Sequence, residues 1–339
     1  METAHRQGLI GLWLAAALLL AACASPASDA DPALPAPVAP VQVAEPAAPP
    51  VVVEAPPPVV PALTNRIACS GPATQGGAIV CRTDPGSELS LDGKPVAVAD
   101  AQGIAIIGLP RTQPTPATIA FVSPLDVAVS IDRRTASSVV DVLKRTDSVA
   151  KFPMDCNKIA PQTAEEKRHA EIAWVKKDNA LKTFSDPLAP FALIKPADGP
   201  YSSPFGATRT YVPKTKDCEG STSVHNGQDI AVGTGTEIRA PMAGTVILAD
   251  PDLYYEGGCV FLDLGRGIVS VTMHMSRIDV KAGDRVEQGQ LLGLSGATGR
   301  VTGPHLHWAL KYRNVASPDR GTDIWLDPAL LLAINSTQN

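Results

Sequence analysis

From Tyr201 onward, glycine and proline interrupt the chain every few residues, and the apolar runs between them are too short for helices of ordinary length. That punctuation leaves no room for a helical bundle in this half. Runs at 236–239, 245–249, 260–264, 268–275, 284–293 and 305–311 read as strands. Gly283-Asp284-Arg285-Val286, leading to Gly289-Gln290, marks a tight turn. Strands joined by short turns pair antiparallel. The expectation for residues 196–332 is therefore a mainly β domain with an antiparallel core.

A second β region precedes it at 64–135. Ile79-Val80-Cys81-Arg82 runs into a turn at Pro85-Gly86, and Leu89-Ser90-Leu91 runs into Asp92-Gly93, a strong hairpin signal. Further runs at 96–98, 104–107, 119–122 and 127–131 complete a regular set, which predicts a small β-sandwich of Ig-like character. No chemistry is visible in it. Residues 136–195 read as a linker around one helix at 161–184. Thr163-Ala164-Glu165-Glu166 is a capping-box pattern, and Ala170, Ala173, Trp174, Leu181 and Phe184 recur near helical spacing. His169 stands among Lys167, Arg168 and Glu171 and reads as a solvated residue.

Residues 1–23 read as an export signal. Arg6 precedes an apolar run that ends at Leu20 and is too short to span a bilayer comfortably. Leu20-Ala21-Ala22-Cys23 resembles a bacterial lipobox, which implies lipidation of Cys23. Residues 24–63 hold twelve of the 32 prolines among Ala and Val. Such a segment builds no core and predicts a disordered, extended tether reaching on the order of 100 Å. The expected location is the periplasm, lipid-anchored, and the absence of an acidic residue after Cys23 favours the outer membrane over the inner one.

The formal net charge is −5, but the tether carries Asp29, Asp31, Glu45 and Glu54 and no Lys or Arg. The remainder is nearly neutral, which gives nucleic acid no electrostatic footprint. An exported chain meets an oxidising compartment. Cys69 and Cys81 bracket a short turn-rich stretch and are expected to pair, as are Cys218 and Cys259, leaving Cys156 over.

The chemistry is concentrated in the histidines. The chain has six, and four of them are His225, His274, His305 and His307. His225 and Asp229 flank Gly227, and in a strand His305 and His307 point to one side with Leu306 in the core. Gly227 lets the backbone bend or approach closely, with His225 entering a strand and Asp229 lying in it. Histidine and carboxylate are the ligands of a catalytic zinc that keeps one position open for water. Spacing alone leaves open which of His305 and His307 holds a metal.

At these residues the chain resembles the lysostaphin/LytM-type zinc metallopeptidases, peptidase family M23. The resemblance covers roughly residues 197–330. It runs from Ser203-Pro204-Phe205-Gly206 through His225-x-Gly227-x-Asp229, Ala240-Pro241-x-x-Gly244-x-Val246, His274-x-Ser276 and Gly283-Asp284-x-Val286-x-x-Gly289-Gln290. It closes with Gly296-x-Thr298-Gly299 and Thr302-Gly303-Pro304-His305-Leu306-His307. The resemblance implies a LytM-like β domain with Zn2+ held by His225, Asp229 and His307, and with His305 and His274 as the catalytic pair. It implies an endopeptidase cutting peptide crosslinks of peptidoglycan, at D-Ala–diaminopimelate bridges in a Gram-negative envelope. The alternative is a non-enzymatic LytM-like activator of a cell-wall amidase. Residues 214–223 and Glu256-Gly257-Gly258-Cys259 depart from the family pattern and bear on substrate preference; the first stretch is a candidate lid. The implied partners are peptidoglycan stems, a membrane reached through the lipid on Cys23, and an unidentified envelope protein.

Overall fold

The computed structural model describes residues 67–122, 135–317 and 320–334. The proposed signal, lipidation site and tether, and the strand expected at 127–131, lie outside the described residues. The described residues belong to one compact unit.

Its first strands are β1 (Ala68–Ser70), β2 (Ala78–Arg82), β3 (Glu88–Leu91), β4 (Lys94–Val98), β5 (Ile104–Gly108), β6 (Ala117–Val122) and β7 (Thr135–Val140). They form two antiparallel sheets, ordered β1-β2-β5 and β4-β3-β6-β7. Strand β5 and β2 up to Cys81 carry no polar side chain, because both of their faces are buried there. Ile79, Cys81, Ala105 and Ile107 pack against Leu89, Ile119 and Phe121 of the second sheet. Ala78, Val80, Ile104 and Ile106 face the other way, into the core of the C-terminal half. Hydrogen bonds extend this junction: Tyr312 Oη donates to Val96 O at 2.6 Å, and Asn314 Nδ2 donates to Pro95 O at 2.8 Å.

Next come β8 (Val149–Met154), α1 (Cys156–Ile159) and α2 (Ala164–Ala180). The helix is shorter than the expected 161–184. Thr163 caps it by accepting from the Glu166 amide while Glu166 caps back, and Phe184 falls beyond its end. It buries Ala173 and Ala180 and presents mostly charge elsewhere. Lys176 pairs with Asp250 at 2.6 Å, Lys177 pairs with Glu256, and His169 Nε2 meets Asp252 O at 2.7 Å, so these contacts fasten the helix in place.

The C-terminal half contains β9 (Tyr201–Ser203), β10 (Thr208–Pro213), β11 (Ser221–Val224), β12 (Gln228–Ile230), β13 (Glu237–Arg239), β14 (Gly244–Leu253), β15 (Gly257–Asp263), β16 (Ile268–Ile278), β17 (Arg285–Val286), β18 (Leu291–Ser295), β19 (Leu306–Tyr312) and β20 (Ile324–Leu326), followed by α3 (Pro328–Leu331). Ten of these strands form one sheet with the path β17-β14-β15-β16-β19-β12-β9. Its pairings are antiparallel, as the short turns require. Leu306, Trp308, Leu310 and Tyr312 of β19 enter the main core with Val260, Leu262 and Ile268. On the opposite face Cys259, Phe261, Val269, Val271 and Ala309 pack with Ala173 and Leu181. The site lies on this second face.

A small fourth sheet, ordered β11-β10-β8, flanks the site, with β10 antiparallel to β11 and parallel to β8. One expected pairing is overturned here. Cys69 and Cys81 are joined, but Cys218 bonds to Cys156 and Cys259 is free. Cys259 sits in β15, a strand buried on both faces, and its thiol is sealed in the core. Cys218 lies in the β10–β11 hairpin, beside the start of α1. Residues 214–223, the candidate lid, include that hairpin loop, which the Cys156–Cys218 bond and a Lys214–Asp155 ion pair of 3.1 Å anchor to α1.

Candidate active site

Asp229 and His307 are direct cross-strand partners in β12 and β19, which fixes their side chains next to each other. His225 stands in the link between β11 and β12, just short of the strand the spacing suggested. Gly227 permits that link to lie against β19: a Cβ there would stand 2.5 Å from His307 Nε2 and 2.7 Å from Trp308 O. His305 forms an isolated bridge with Gly296, one residue before β19 begins, and Leu306 is fully buried in the core as the alternation requires.

His274 reaches the site by a different device. Between the pairs Val260↔Thr272 and Gly258↔Met275 the register shifts, so β16 carries an extra residue there. His274 adopts φ 65°, a left-handed conformation that is uncommon for a non-glycine residue and clusters at functional sites. Val269 and Val271 face the α2 side, whereas Met275 faces the main core. The bulge thus reverses the alternation and turns His274 towards His305, with ring centroids 4.9 Å apart. Five residues singled out from the sequence, His225, Asp229, His274, His305 and His307, therefore meet in one place.

Three ligand atoms converge. His225 Nε2 lies 3.1 Å from Asp229 Oδ1 and 3.0 Å from His307 Nδ1, and His307 Nδ1 lies 2.9 Å from Asp229 Oδ1. His225 donates its Nδ1–H to Pro204 O at 2.8 Å, so its Nε2 brings a lone pair to the cluster. Arg209 holds the other Asp229 oxygen at 2.5 Å and also donates to Ser203 Oγ at 2.7 Å. All three converging residues are buried. Two imidazole nitrogens and a carboxylate oxygen, with His225 and Asp229 each oriented from behind, are a fitting donor set for a divalent cation with an open position.

The electrostatics agree with that assignment. Burial opposes ionisation of Asp229, but hydrogen bonds and charge from His225 and His307 outweigh it and hold the carboxyl well below the usual range. Burial, reinforced by the neighbouring His307 and His305, lowers His274 to about 3. Burial likewise lowers His307, against the pull of Asp229. Both outer histidines have fixed tautomers: His274 Nδ1–H donates to Thr298 O at 2.9 Å, and His305 Nδ1–H donates to Gly303 O at 2.9 Å. Each Nε2 is left as an acceptor, and that of His305 stands 3.7 Å from Asp229 Oδ1.

Two clefts flank this cluster. One, about 340 Å³, is lined by His225, His274 and His307 with Trp174 and Lys177 of α2. The other, about 320 Å³, is lined by Asp229 and His305 with Phe152 and Ser203. Sequence reasoning missed Arg209 and the orienting carbonyls of Pro204, Thr298 and Gly303. Carbonyls leave no trace in residue identity, and Arg209 is marked only by sharing a strand face with Tyr211.

The profile of Peptidase family M23 matches residues 223–318, the stretch that carries His225, Asp229, His274, His305 and His307. Peptidoglycan DD-endopeptidase ShyA of Vibrio cholerae is 43% identical over 89 residues, covering 26% of this chain and 20% of ShyA. Lysostaphin of Staphylococcus simulans is 37% identical over 86 residues, covering 25% of this chain and 17% of lysostaphin. The match thus spans about a fifth of the length of these curated relatives. A crystal structure of a peptidase M23 from Pseudomonas aeruginosa agrees more widely: 30% identity, 77% of this chain and 95% of that one, with a TM-score of 0.52. With the profile on the site-bearing strands and a solved relative covered almost end to end, the chain belongs to peptidase family M23.

Proposed function

We propose that the protein is a zinc-dependent endopeptidase that hydrolyses peptide crosslinks of bacterial peptidoglycan, at D-Ala–diaminopimelate bridges. The observation that carries this reading is the convergence of His225 Nε2, Asp229 Oδ1 and His307 Nδ1 beside two histidines with free Nε2 atoms. His225, Asp229 and His307 are the zinc ligands, and Zn2+ held there supplies a Lewis acid that polarises a carbonyl and lowers the pKa of a water to about 7. His305 accepts the proton of the attacking water at Nε2 and later returns it to the leaving amine. His274 has spent its Nδ1–H on Thr298, so it starts as a neutral acceptor and supports a developing oxyanion once Nε2 is protonated. Arg209 and Pro204 O hold Asp229 and His225 in the ligating orientation.

The similarity to ShyA, a peptidoglycan DD-endopeptidase, supports the polymer as substrate. The lipobox-like end at Cys23 and the proline-rich segment support a lipid-anchored periplasmic location, with the outer membrane favoured. The test is zinc analysis of the purified protein together with digestion of cell-wall sacculi, followed by mass spectrometry of the released fragments. One zinc per chain and crosslink cleavage, both lost in Asp229→Asn, are expected. A metal-free protein that releases no fragment and only stimulates an amidase would overturn the reading.

A further inference from the structure

The two clefts beside the ligand cluster meet at Arg300, which lines both. Its guanidinium carbon lies over two aromatic rings, 4.9 Å from the Tyr211 centroid and 4.7 Å from the Tyr255 centroid. The loop beneath is tied down: the Arg300 amide donates to Tyr255 O at 2.8 Å, and Lys158 Nζ donates to Val301 O at 3.0 Å. The group is therefore presented in a set orientation. Contact with the rings engages the cation without using its N–H donors, which remain for a ligand.

The charge pattern singles out this residue. Three other cations line the clefts, and each has a carboxylate partner: Lys177 with Glu256, Arg209 with Asp229, and Lys311 with Asp323 at 4.0 Å. The cleft carboxylate Asp178 is matched by Lys182 at 2.6 Å. Among the described residues Arg300 meets no carboxylate. A planar guanidinium held on two rings and without a carboxylate partner is suited to bidentate recognition of a carboxylate.

We propose that Arg300 is a specificity-determining residue that receives a free carboxylate of the substrate peptide next to the scissile amide. This rests on the hydrolase reading above and narrows it to acidic peptides. A D-Ala–diaminopimelate bridge meets the requirement, because the carbon bearing the scissile nitrogen also bears a carboxylate. Tyr211 and Tyr255 are positioning residues for the guanidinium.

The test uses the zinc-loaded full chain and two synthetic crosslinked peptides that differ only in that carboxylate, free or amidated. Wild-type protein is expected to show about a 10-fold higher KM for the amidated peptide, a ratio worth about 1.4 kcal/mol. Arg300→Gln should raise KM about 10-fold on the free acid, keep kcat within about twofold and leave the amidated peptide unaffected. Arg300→Lys should fall between, since it keeps charge and loses the planar fork. Equal KM for both peptides in the wild type, or an equal fall in kcat on both in Arg300→Gln, overturns the proposal in favour of a purely structural role. The wild-type comparison stands even if a variant fails to fold. If neither peptide is cut, the hydrolase reading fails, and Kd values for the two peptides on wild type and Arg300→Gln still decide the carboxylate preference.

Discussion

Replacing Gly227 by alanine probes the site through a single methyl group. The added Cβ would lie 2.5 Å from His307 Nε2, 2.7 Å from His307 Cε1 and 2.7 Å from Trp308 O. Carbon contacts settle near 3.5–4.0 Å, so one partner must retreat by roughly 1 Å. Trp308 O belongs to a central strand of the sheet, and the His307 ring is buried, so neither yields freely. Overpacking of this kind costs about 1–3 kcal/mol. For a unit of this size that is roughly 2–6 °C in Tm. The more telling effect is on the metal. A ring displaced by roughly 1 Å no longer shares a centre with His225 Nε2 and Asp229 Oδ1, and affinity should fall about 10- to 100-fold. Competition with a chromogenic chelator measures that affinity, and melting in excess EDTA isolates the packing cost. Gly233→Ala, where a Cβ would meet nothing within 4 Å, is the control and should match wild type. Metal affinity within twofold of wild type in Gly227→Ala, with an unchanged Tm, would refute the close-approach argument.

Two other expectations are independent of that one. His274 is held at about 3 in the folded chain against an ordinary 6.5, chiefly by burial. Between those values the unfolded chain binds the extra proton, so this contribution is complete above about pH 6.5 and declines as the pH falls towards 3, by up to about 1.4 kcal/mol per unit. Urea titrations of metal-free protein from pH 7 to pH 4 should show that decline, and His274→Asn should flatten it; parallel curves would contradict the assignment. Arg145 joins the segment before β8 to the C-terminal half, pairing with Asp147 at 2.6 Å and Asp327 at 3.4 Å and donating to Phe205 O at 2.9 Å. Arg145→Ala leaves the largely buried Asp327 without its cation, while Asp147 keeps Arg111 at 2.6 Å, and should cost about 3 kcal/mol, read as a lower urea midpoint; a midpoint equal to wild type would show the cluster to be dispensable.

Much of the architecture was legible because short turns and alternating apolar residues act locally. The runs at 260–264 and 268–275 became β15 and β16, and Asp92-Gly93 became the turn between β3 and β4. Strand β8 was not legible. Its exposed alternate residues and Pro153 give a weak pattern, and its partner β10 lies more than fifty residues away in a parallel pairing that no local turn announces. The same distance hid the Cys156–Cys218 bond, since cysteine spacing carries no record of which segments are brought together.

At the site, residue identity determined the chemistry. Two histidines and an aspartate at these spacings can present imidazole and carboxylate lone pairs on one side of a sheet, and Gly227 was recognisable as the residue that lets the chain close in. The tertiary structure decided which atoms do so. Strand register placed Asp229 opposite His307 rather than His305, because cross-strand partners are set by pairing over the whole sheet. A bulge with a left-handed residue carried His274 to the cleft, against the alternation that its neighbours obey. Carbonyls of Pro204, Thr298 and Gly303, drawn from the β9–β10 and β18–β19 loops, fixed the tautomers and so the direction in which each proton can move.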